Sequence, residues 1–362
     1  MNAIESLARP EVLAMRPYES ARSSAAADGI LLNANEAPVT LAGNVRTGSL
    51  PLNRYPPPQP ADLRERLAAL YGVPAEQVLV TRGSDEGIDL LTRVFCRPGQ
   101  DAVVECPPCF GMYRVAAAIQ GAEVIAVPRQ ADSLRVDFEQ LVNTIGARPN
   151  ARLVFLTSPN NPTGDLIARE DLLRVLDACG DTVLLVLDEA YIEFCASPSA
   201  VELIPDHANL VVLRTLSKAW ASAGLRCGSV IAQPPVIGLL RRIMAPYPLS
   251  TPAIDAAMAA TAPGAQERQT RMLQDIALCK SRLLELVARL SWVRATWPGE
   301  ANFVLLRVDD AAALVAHCAA LGIRIRDFSN QPRLENCVRL TIGTAMEMAA
   351  LAGALEQYGA PA

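Results

Sequence analysis

Short apolar runs alternate with helical patterns through the first two thirds of the chain. Several runs are apolar throughout, which is typical of strands that are covered on both faces of a sheet. The alternation predicts an α/β fold, with a mainly parallel seven-stranded sheet and helices on both sides. The predicted strands are residues 77–81, 102–105, 123–127, 153–157, 183–187, 210–213 and 229–232, and the clearest helices after the first strand are 85–95, 111–120 and 170–179.

The pattern changes after the proline-rich stretch at residues 246–252. A long helix, a strand, a second helix and two short strands are predicted at 266–290, 302–308, 311–321, 323–326 and 338–341. We therefore expect a large domain at 36–248 and a smaller α+β domain at 249–362. Residues 1–35 have little core of their own, and we expect an arm that packs on the small domain and on a partner subunit.

Composition narrows the class of protein. A chain of 362 residues with 51% apolar and 20% charged residues has a globular balance and is long enough for two domains. The net charge of -5 argues against a nucleic-acid surface. The densest apolar run, 182–187, is far below the roughly 20 residues of a spanning helix. Nine scattered cysteines favour free thiols in a reducing compartment, so we expect a cytoplasmic protein without membrane or nucleic-acid partners.

A possible phosphate site lies between the first predicted strand and its helix, in the segment RGSDEG at 82–87. Gly83 permits a close backbone approach, and a helix start offers free N–H groups and a positive dipole end. A phosphate could therefore bind at Ser84 and Asp85. An ordinary Ser or Asp helix cap explains the same residues, so this segment alone does not decide between the two.

Two more polar segments follow strand ends, where open α/β sheets bind their ligands. SPNNPTG at 158–164 holds two prolines, two asparagines and a glycine, which is more than a plain turn requires, although a structural turn stays open. Asp188 ends the most apolar strand. A shielded carboxylate needs a charged or hydrogen-bonded partner, and a protonated pyridine nitrogen would be one. A helix cap is the alternative for Asp188.

Lys218 follows the next strand end and is followed in sequence by Ala219 and Trp220. An amine among apolar groups loses basicity and becomes a nucleophile toward carbonyls, whereas a lone surface lysine would have no such role. Ser217 and Arg226 are spaced to hold a phosphate. Together the four segments supply phosphate donors, a pyridinium partner and an amine, which is the set that pyridoxal phosphate requires.

These motifs resemble those of the fold-type-I aminotransferases, and most of all their histidinol-phosphate branch, over nearly the whole chain. The motifs are RGSDEGID, CPPCFGMY, SPNNPTG, DEAYIEF, RTLSKAWASAGLRCG, APYPLSTP and VRLTIGT. The resemblance implies a pyridoxal-phosphate transferase that moves an amino group between glutamate and imidazole-acetol phosphate, in histidine biosynthesis. An aromatic amino-acid aminotransferase, a phospho-amino-acid decarboxylase and a non-catalytic pyridoxal-phosphate module remain alternatives.

The resemblance also implies roles for the residues around the cofactor. Lys218 would bind the cofactor aldehyde as an imine and later move a proton between substrate and cofactor. Asp188 would keep the pyridine nitrogen protonated, and Tyr191 and Asn161 would hydrogen-bond the ring hydroxyl. Phe110 would stack on the ring, at a position where most relatives have a tyrosine.

The cofactor phosphate would lie, by the same resemblance, against Ser84, Asp85, Ser217 and Arg226. Tyr55, in the RYP motif, would reach the cofactor phosphate of the neighbouring subunit, so a homodimer is expected.

Substrate binding is assigned by resemblance as well. Arg339 in VRLTIGT would clamp the glutamate carboxylate, for which a bidentate arginine is suited. Arg326 and Tyr18 would meet the substrate phosphate or second carboxylate, and Asn161 would also face the substrate.

The remaining candidate groups do not form a second site. Cys106 and Cys109 have CxxC spacing, but a zinc ion would need two more ligands, so we expect no metal. His207 and His317 lie outside every motif, which leaves no Ser-His-Asp arrangement.

Overall fold

The computed structural model describes residues 3–14 and 52–358 of the chain. Within these ranges it contains two β-sheets flanked by helices. The strands are β1 (Val78–Thr81), β2 (Ala102–Glu105), β3 (Glu123–Ala126), β4 (Ala151–Thr157), β5 (Leu184–Asp188), β6 (Leu210–Thr215), β7 (Gly228–Ile231), β8 (Val293–Trp297), β9 (Phe303–Val308), β10 (Arg326–Asp327) and β11 (Cys337–Thr341).

Most helices precede or follow a strand directly, and short 3-10 turns fill several connections. The α-helices are α1 (Ala3–Leu7), α2 (Pro10–Ala14), α3 (Ala61–Tyr71), α4 (Ser84–Phe95), α5 (Met112–Gln120), α6 (Phe138–Ala147), α7 (Arg169–Cys179), α8 (Pro234–Ile243), α9 (Thr251–Ala260), α10 (Pro263–Val287), α11 (Ala311–Ala320) and α12 (Ala345–Tyr358).

The large sheet has seven strands in the order β1-β7-β6-β5-β4-β2-β3. The strands from β6 to β3 run parallel, and β7 is antiparallel to both of its neighbours. The predicted α/β class and mainly parallel sheet are therefore confirmed. Parallel strands need long crossovers, which here contain helices, so the apolar runs become covered on both faces.

Side chains alternate between two cores, one on each face of the large sheet. In β5, Leu185 and Leu187 face the core that contains α3 and α7, whereas Leu184 and Val186 face the core that contains α4, α5 and α8. All five residues of β5 are buried. Two-sided burial is the reason for the unbroken apolar run that precedes Asp188.

The small sheet has four antiparallel strands in the order β10-β11-β9-β8. Its core is formed with α10, α11 and α12. Ile254 and Ala257 of α9 instead pack in the core of the large sheet, beyond the boundary predicted at 248, so they favour a later boundary. The division into 36–248 and 249–362 stays a prediction.

The first described residues do not pack as expected. Ile4, Leu7 and Val12 lie in the core with α4 and α8 of the large sheet, and Arg242 donates to the carbonyls of Val12 and Leu13. This part of the arm therefore contacts the large domain rather than the small one. The rest of the arm, including Tyr18, lies outside the described residues.

The sequence pattern also missed some elements. Strand β8 was not predicted because it is a half-exposed edge strand in which arginine and threonine interrupt the apolar residues. The strand predicted at 323–326 corresponds to β10, which is two residues long and begins only at Arg326. Within the described ranges, no helix has both the length and the apolar character needed to cross a bilayer.

Candidate active site

The carboxyl ends of the central strands meet at one edge of the large sheet. Thr157 at the end of β4 is in register with Asp188 at the end of β5. Gly228, at the start of β7, lies between Thr81 and Thr215, the last residues of β1 and β6. Loops far apart in sequence therefore begin at neighbouring points of the sheet, as ligand sites in open α/β sheets require.

A cavity of 560 Å³ opens at this edge, between the two sheets. It is lined by most of the predicted site residues, which come from segments next to both sheets. They are Ser84, Asp85, Phe110, Asn161, Asp188, Tyr191, Ser217, Lys218, Arg226, Arg326 and Arg339. Residues from six of the quoted motifs, together with Arg326, are thus brought together in one place.

Asp188 is buried at the floor of the cavity. Its Oδ2 accepts a hydrogen bond from Tyr113 Oη at 2.9 Å, and its Oδ1 accepts from the Ala190 N–H at 3.0 Å. Tyr113 Oη also hydrogen-bonds to Thr157 Oγ1 at 2.7 Å. Loss of hydration on burial raises the pKa of Asp188 to about 6 despite these donors. The carboxylate would therefore gain from a cationic ligand in the cavity.

Lys218 lies just beyond the end of β6, with Nζ 5.6 Å from the centroid of the Tyr191 ring. Its side chain is exposed to the cavity, whereas Ala219 and Trp220 are buried in the core. Partial burial and the positive charge of Arg339 lower the pKa of Lys218. The sequence suggested that apolar neighbours alone lower this pKa, whereas the structure adds the charge of Arg339. A lower pKa leaves a larger fraction of the amine neutral and nucleophilic.

A candidate anion-binding site, called the cup below, lies where α4 begins and consists of Ser84, Asp85, Ser217 and Arg226. The first N–H groups of a helix have no acceptor within it, and those of α4 start at Ser84 and Asp85. Arg226 reaches this point from the loop before β7, where Nη2 donates to Asp85 Oδ2 at 3.0 Å and Nη1 to Ser217 Oγ at 3.5 Å. Arg226 has a φ of 53°, a conformation that L residues rarely adopt, so its backbone is held in a strained position.

Two glycines let the cup close. A Cβ on Gly83 would lie 2.8 Å from Arg226 Nη2, and Gly83 has a φ of +77°. A Cβ on Gly228 would lie 2.6 Å from the Gly83 carbonyl carbon and 2.7 Å from Ser84 N. The close approach of backbone atoms therefore requires glycine at position 228, whereas the positive φ favours glycine at position 83.

Arginines form the opposite wall. Arg326 on β10 and Arg339 on β11 are cross-strand partners. Their guanidinium carbons lie 5.9 and 5.3 Å from the centroid of the buried Phe328 ring. Like charges at paired positions of a sheet are destabilising, so the pair favours an anionic ligand in the cavity.

The SPNNPTG loop fixes the orientation of one arginine of this wall, Arg339. Arg339 Nη1 donates to Asn161 Oδ1 at 2.6 Å, and the guanidinium also lies 5.1 Å from the Phe303 ring centroid. The buried Nε of Arg339 has no hydrogen-bond acceptor among the described residues. An unsatisfied buried donor costs free energy, which a carboxylate ligand would offset.

Tyr191 and Phe110 complete the cavity. The buried Tyr191 lies next to Asp188, and burial raises the pKa of its phenol to about 12, so the phenol is protonated at neutral pH. The ring of Phe110 contacts Tyr113 edge-on, with centroids 5.7 Å apart.

Tyr55 does not line the cavity of its own chain. Its exposed ring stacks on Tyr247, with centroids 4.5 Å apart. Tyr18 lies outside the described residues.

Several cavity residues were missed by sequence reasoning. Thr157 and Thr215 end β4 and β6, so the rule that strand ends carry ligands could have found them. The contact of Tyr113 with Asp188 joins residues 75 positions apart and leaves no local pattern. Phe328 and Gln331 come from a short loop with no distinctive signal.

The CxxC pair belongs to the wall beside Phe110. Cys109 lines the cavity and its Sγ donates to Glu105 Oε2 at 3.8 Å, while Cys106 is buried. Burial raises the pKa of both thiols, which makes them poor nucleophiles.

Comparison with known proteins adds independent information. Residues 30–355 match the family of class I and II aminotransferases. A histidinol-phosphate aminotransferase from Aeromonas hydrophila is 42% identical over 99% of this chain and 99% of its own, and one from Stenotrophomonas maltophilia is 44% identical over 94% and 93%. The solved structure of histidinol-phosphate aminotransferase from Sinorhizobium meliloti, in complex with pyridoxal-5'-phosphate, has a TM-score of 0.77 at 28% identity, covering 85% of this chain and 83% of that one.

The raised pKa of Asp188 predicts a stability cost in the cofactor-free protein. The folded pKa of about 6 lies above the ordinary 3.8, so the contribution to stability is full below pH 3.8 and is lost as the pH rises through 6. We expect Asp188→Asn to raise the free energy of unfolding by about 3 kcal/mol at pH 8 and by about half of that at pH 5. Urea unfolding of both cofactor-free proteins at the two pH values measures this.

The amide should fit the site, because its oxygen can accept from the Ala190 N–H while its nitrogen donates to Tyr113 Oη. Asp101→Asn is the matched control, since Asp101 is also buried but is paired with Arg97 and Arg152. The control should lose stability. An Asp188→Asn variant that is no more stable than the parent at pH 8, or whose gain does not change with pH, would contradict the prediction.

Proposed function

The chain belongs to the class I and II aminotransferases, in the histidinol-phosphate aminotransferase family, and we propose that it transfers an amino group from glutamate to imidazole-acetol phosphate. The products are L-histidinol phosphate and 2-oxoglutarate, as in a step of histidine biosynthesis. It is a pyridoxal-phosphate-dependent enzyme. The observation that carries the substrate proposal is the Arg326–Arg339 pair, which faces Lys218 and Asp188 across one cavity.

The residues present fit pyridoxal phosphate. The cup at Ser84 and Asp85, with Ser217 and Arg226, offers backbone, hydroxyl and guanidinium donors to a phosphate. The closely packed glycines beneath it leave the backbone accessible. A buried carboxylate that can accept from the ring nitrogen and an amine of lowered pKa that can bind the aldehyde complete the set of groups that the cofactor requires.

Lys218 and Asp188 hold the central roles in this proposal. Pyridoxal phosphate, when bound, supplies an aldehyde that exchanges amines and a ring that withdraws electrons from the carbon next to the nitrogen. Lys218 Nζ would hold the cofactor at its aldehyde carbon. Once displaced by the substrate amine, Nζ would take the proton from the substrate Cα and deliver it to that cofactor carbon. Asp188 keeps a proton on the ring nitrogen, because a buried carboxylate is stabilised by that charge.

The remaining cavity residues orient the cofactor. Tyr191 and Asn161 would donate hydrogen bonds to the ring hydroxyl, and Phe110 would cover one ring face. The contact of Asn161 with Arg339 links this part of the site to the substrate wall.

Substrate recognition rests on two guanidinium groups. Arg339 takes the carboxylate of glutamate with its unsatisfied Nε and its Nη groups. Arg326 takes the phosphate of histidinol phosphate or the second carboxylate of glutamate. A site that alternates between these two substrates needs donors that accept either anion, and guanidinium groups do so.

We also propose a cytoplasmic homodimer. All nine cysteines are free thiols, in keeping with a reducing compartment. Tyr55 is exposed and does not line the cavity of its own chain, so a contact with a cofactor phosphate requires a second copy. Tyr18 is proposed to meet the substrate phosphate, from the part of the arm outside the described residues.

Covalent labelling tests Lys218 sharply, because the chain contains two lysines, Lys218 and Lys280. Lys280 Nζ donates to the carbonyls of Gly299 and Ala301 at 2.7 Å each, so its amine is engaged. We expect borohydride to fix pyridoxal phosphate on Lys218 only. Lys218→Ala should lose the fixed cofactor, its visible absorbance and amino transfer, as read by peptide mass spectrometry and an assay of glutamate formation.

Lys280→Arg is the control and should label and turn over like the parent enzyme. Label found on Lys280 in the parent, or near-normal turnover of Lys218→Ala, would refute the assignment.

Arg326→Gln tests the phosphate assignment. Loss of a charged hydrogen bond should lower kcat/KM for histidinol phosphate roughly 10- to 100-fold, with little effect on phenylalanine as the amino donor. Arg307→Gln is the control, since Arg307 lies over Trp297 outside the cavity. Both donors are assayed with 2-oxoglutarate.

The substrate class follows from the same assay, by comparing kcat/KM of the parent enzyme for histidinol phosphate and for phenylalanine. A preference of tenfold or more for phenylalanine would make it an aromatic aminotransferase. Equal losses for both donors in Arg326→Gln would reject the assigned role of Arg326.

Tyr55→Phe tests the shared site. Removal of one hydroxyl donor to a phosphate should raise the dissociation constant for pyridoxal phosphate roughly tenfold or more, without changing the fold. Cofactor titration and the molar mass in solution are the measurements. A fully active monomer, or unchanged cofactor affinity in Tyr55→Phe, would count against a site completed by the partner.

A further inference from the structure

Arg129 is among the largest fully buried side chains, and the proposed mechanism gives it no role. Its Nη1 lies 2.9 Å from both carboxylate oxygens of Asp165. We propose that the Arg129–Asp165 ion pair is a positioning element that fixes three walls of the active-site cavity relative to one another. This inference rests on the proposed function only in taking that cavity as the site of cofactor and substrate.

The first wall is the loop that carries Phe110. The backbone N–H of Arg129 donates to the Pro107 carbonyl at 2.9 Å, and its Nε donates to the Cys106 carbonyl at 3.1 Å. Two donors of one residue therefore hold the strand end from which Phe110 projects. A ring that is to cover one face of a cofactor needs such a fixed support.

The second wall is the SPNNPTG loop. Asp165 accepts hydrogen bonds from Thr163 Oγ1 and, at its carbonyl, from the Asn160 N–H at 2.9 Å. The Asn160 side chain donates onward to the Pro108 carbonyl at 3.1 Å and to Thr163 Oγ1 at 2.7 Å. The first two walls are thus joined directly beside Asn161, the residue that accepts from Arg339.

The third wall is the Phe328 ring, over which Arg326 and Arg339 lie. Arg129 Nη1 donates to the Leu134 carbonyl at 3.0 Å. Leu134 has a φ of 56°, and its fully buried side chain packs with Phe328, over which Arg326 and Arg339 lie. Through Leu134 the ion pair of the large domain therefore reaches the substrate wall of the small domain.

A need for geometry explains this pair better than a need for stability. A buried ion pair loses in hydration much of what it gains by attraction, and apolar residues of similar volume serve stability as well. The fork of the guanidinium donates in several fixed directions at once, whereas a lysine ammonium on a flexible stem cannot reproduce them. Arg129→Lys should keep the charge paired with Asp165 while it loses the hydrogen bonds to Cys106 and Leu134.

A matched pair lies at the opposite, amino-terminal end of the sheet. Arg152 Nε lies 3.3 Å from Asp101 Oδ1, and Arg152 Nη1 donates to the carbonyls of Pro149 and Ala151. Asp101 is also buried. Arg152→Lys and Asp101→Asn therefore reproduce the chemical change away from the cavity.

The experiment compares Arg129→Lys and Asp165→Asn with Arg152→Lys and Asp101→Asn. We expect the first two variants to bind pyridoxal phosphate about tenfold more weakly, with altered circular dichroism of the bound cofactor, and to lose about 100-fold in kcat with histidinol phosphate. Hydrogen exchange in their cofactor-free forms should speed up at 106–111 and 160–164. The two controls should lose melting temperature while keeping cofactor affinity, dichroism and kcat.

Folded Arg129→Lys and Asp165→Asn proteins with parental cofactor affinity and dichroism would overturn the proposal. If neither variant folds, amide hydrogen exchange of the parent protein still tests the proposal. The amides of Arg129, Asn160 and Gly164 should be protected from exchange before cofactor is added, and free exchange of these amides would overturn the proposal. Pyridoxal-phosphate binding needs no amino-acid substrate, so a wrong substrate assignment would appear separately, as failure of the parent enzyme to turn over histidinol phosphate.

Discussion

The candidate active site depends on one buried carboxylate, which accepts hydrogen bonds from neutral donors and has no cation in direct contact among the residues that the structure describes. Asp188 ends a strand covered on both faces, and Tyr113 and the Ala190 N–H orient its oxygens. Burial raises its pKa to about 6, so the folded cofactor-free chain carries a destabilising group at neutral pH. A ligand with a positive ring nitrogen would relieve that cost, and this is the basis of the role proposed for Asp188 in keeping the nitrogen of pyridoxal phosphate protonated.

The order of strands in the large sheet places every other group around this carboxylate. Because β7 runs antiparallel between β1 and β6, its first residue, Gly228, touches the start of α4 and lets Arg226 meet Ser217 and Asp85. Because β6 lies next to β5, Lys218 emerges beside Tyr191. The small sheet closes the cavity with Arg326 and Arg339, so the wall with Lys218 and Asp188 and the wall with the two arginines belong to different sheets.

The sequence allowed the fold class and several polar strand ends to be predicted, because two-sided burial produces unbroken apolar runs and ligands gather at the ends of such runs. Lys218, Asp188 and Asn161 could be found for this reason. Phe110, Arg326 and Arg339 were instead assigned by resemblance to aminotransferase motifs. Tyr113, Phe328 and Arg129 could not, since their contacts join distant segments and leave no periodic or local pattern. Residues 4, 7, 8 and 12 pack with α4 and α8, which the sequence did not indicate because a short apolar stretch does not show which core it enters.

The most direct test of the central claim is a crystal structure of the protein with pyridoxal phosphate. The predicted result is a cofactor bonded to Lys218 Nζ, with its phosphate in the cup at Ser84 and Asp85 and its ring nitrogen hydrogen-bonded to Asp188. A ring nitrogen that points away from Asp188, with the carboxyl still bonded only to Tyr113 and the Ala190 N–H, would contradict the claim.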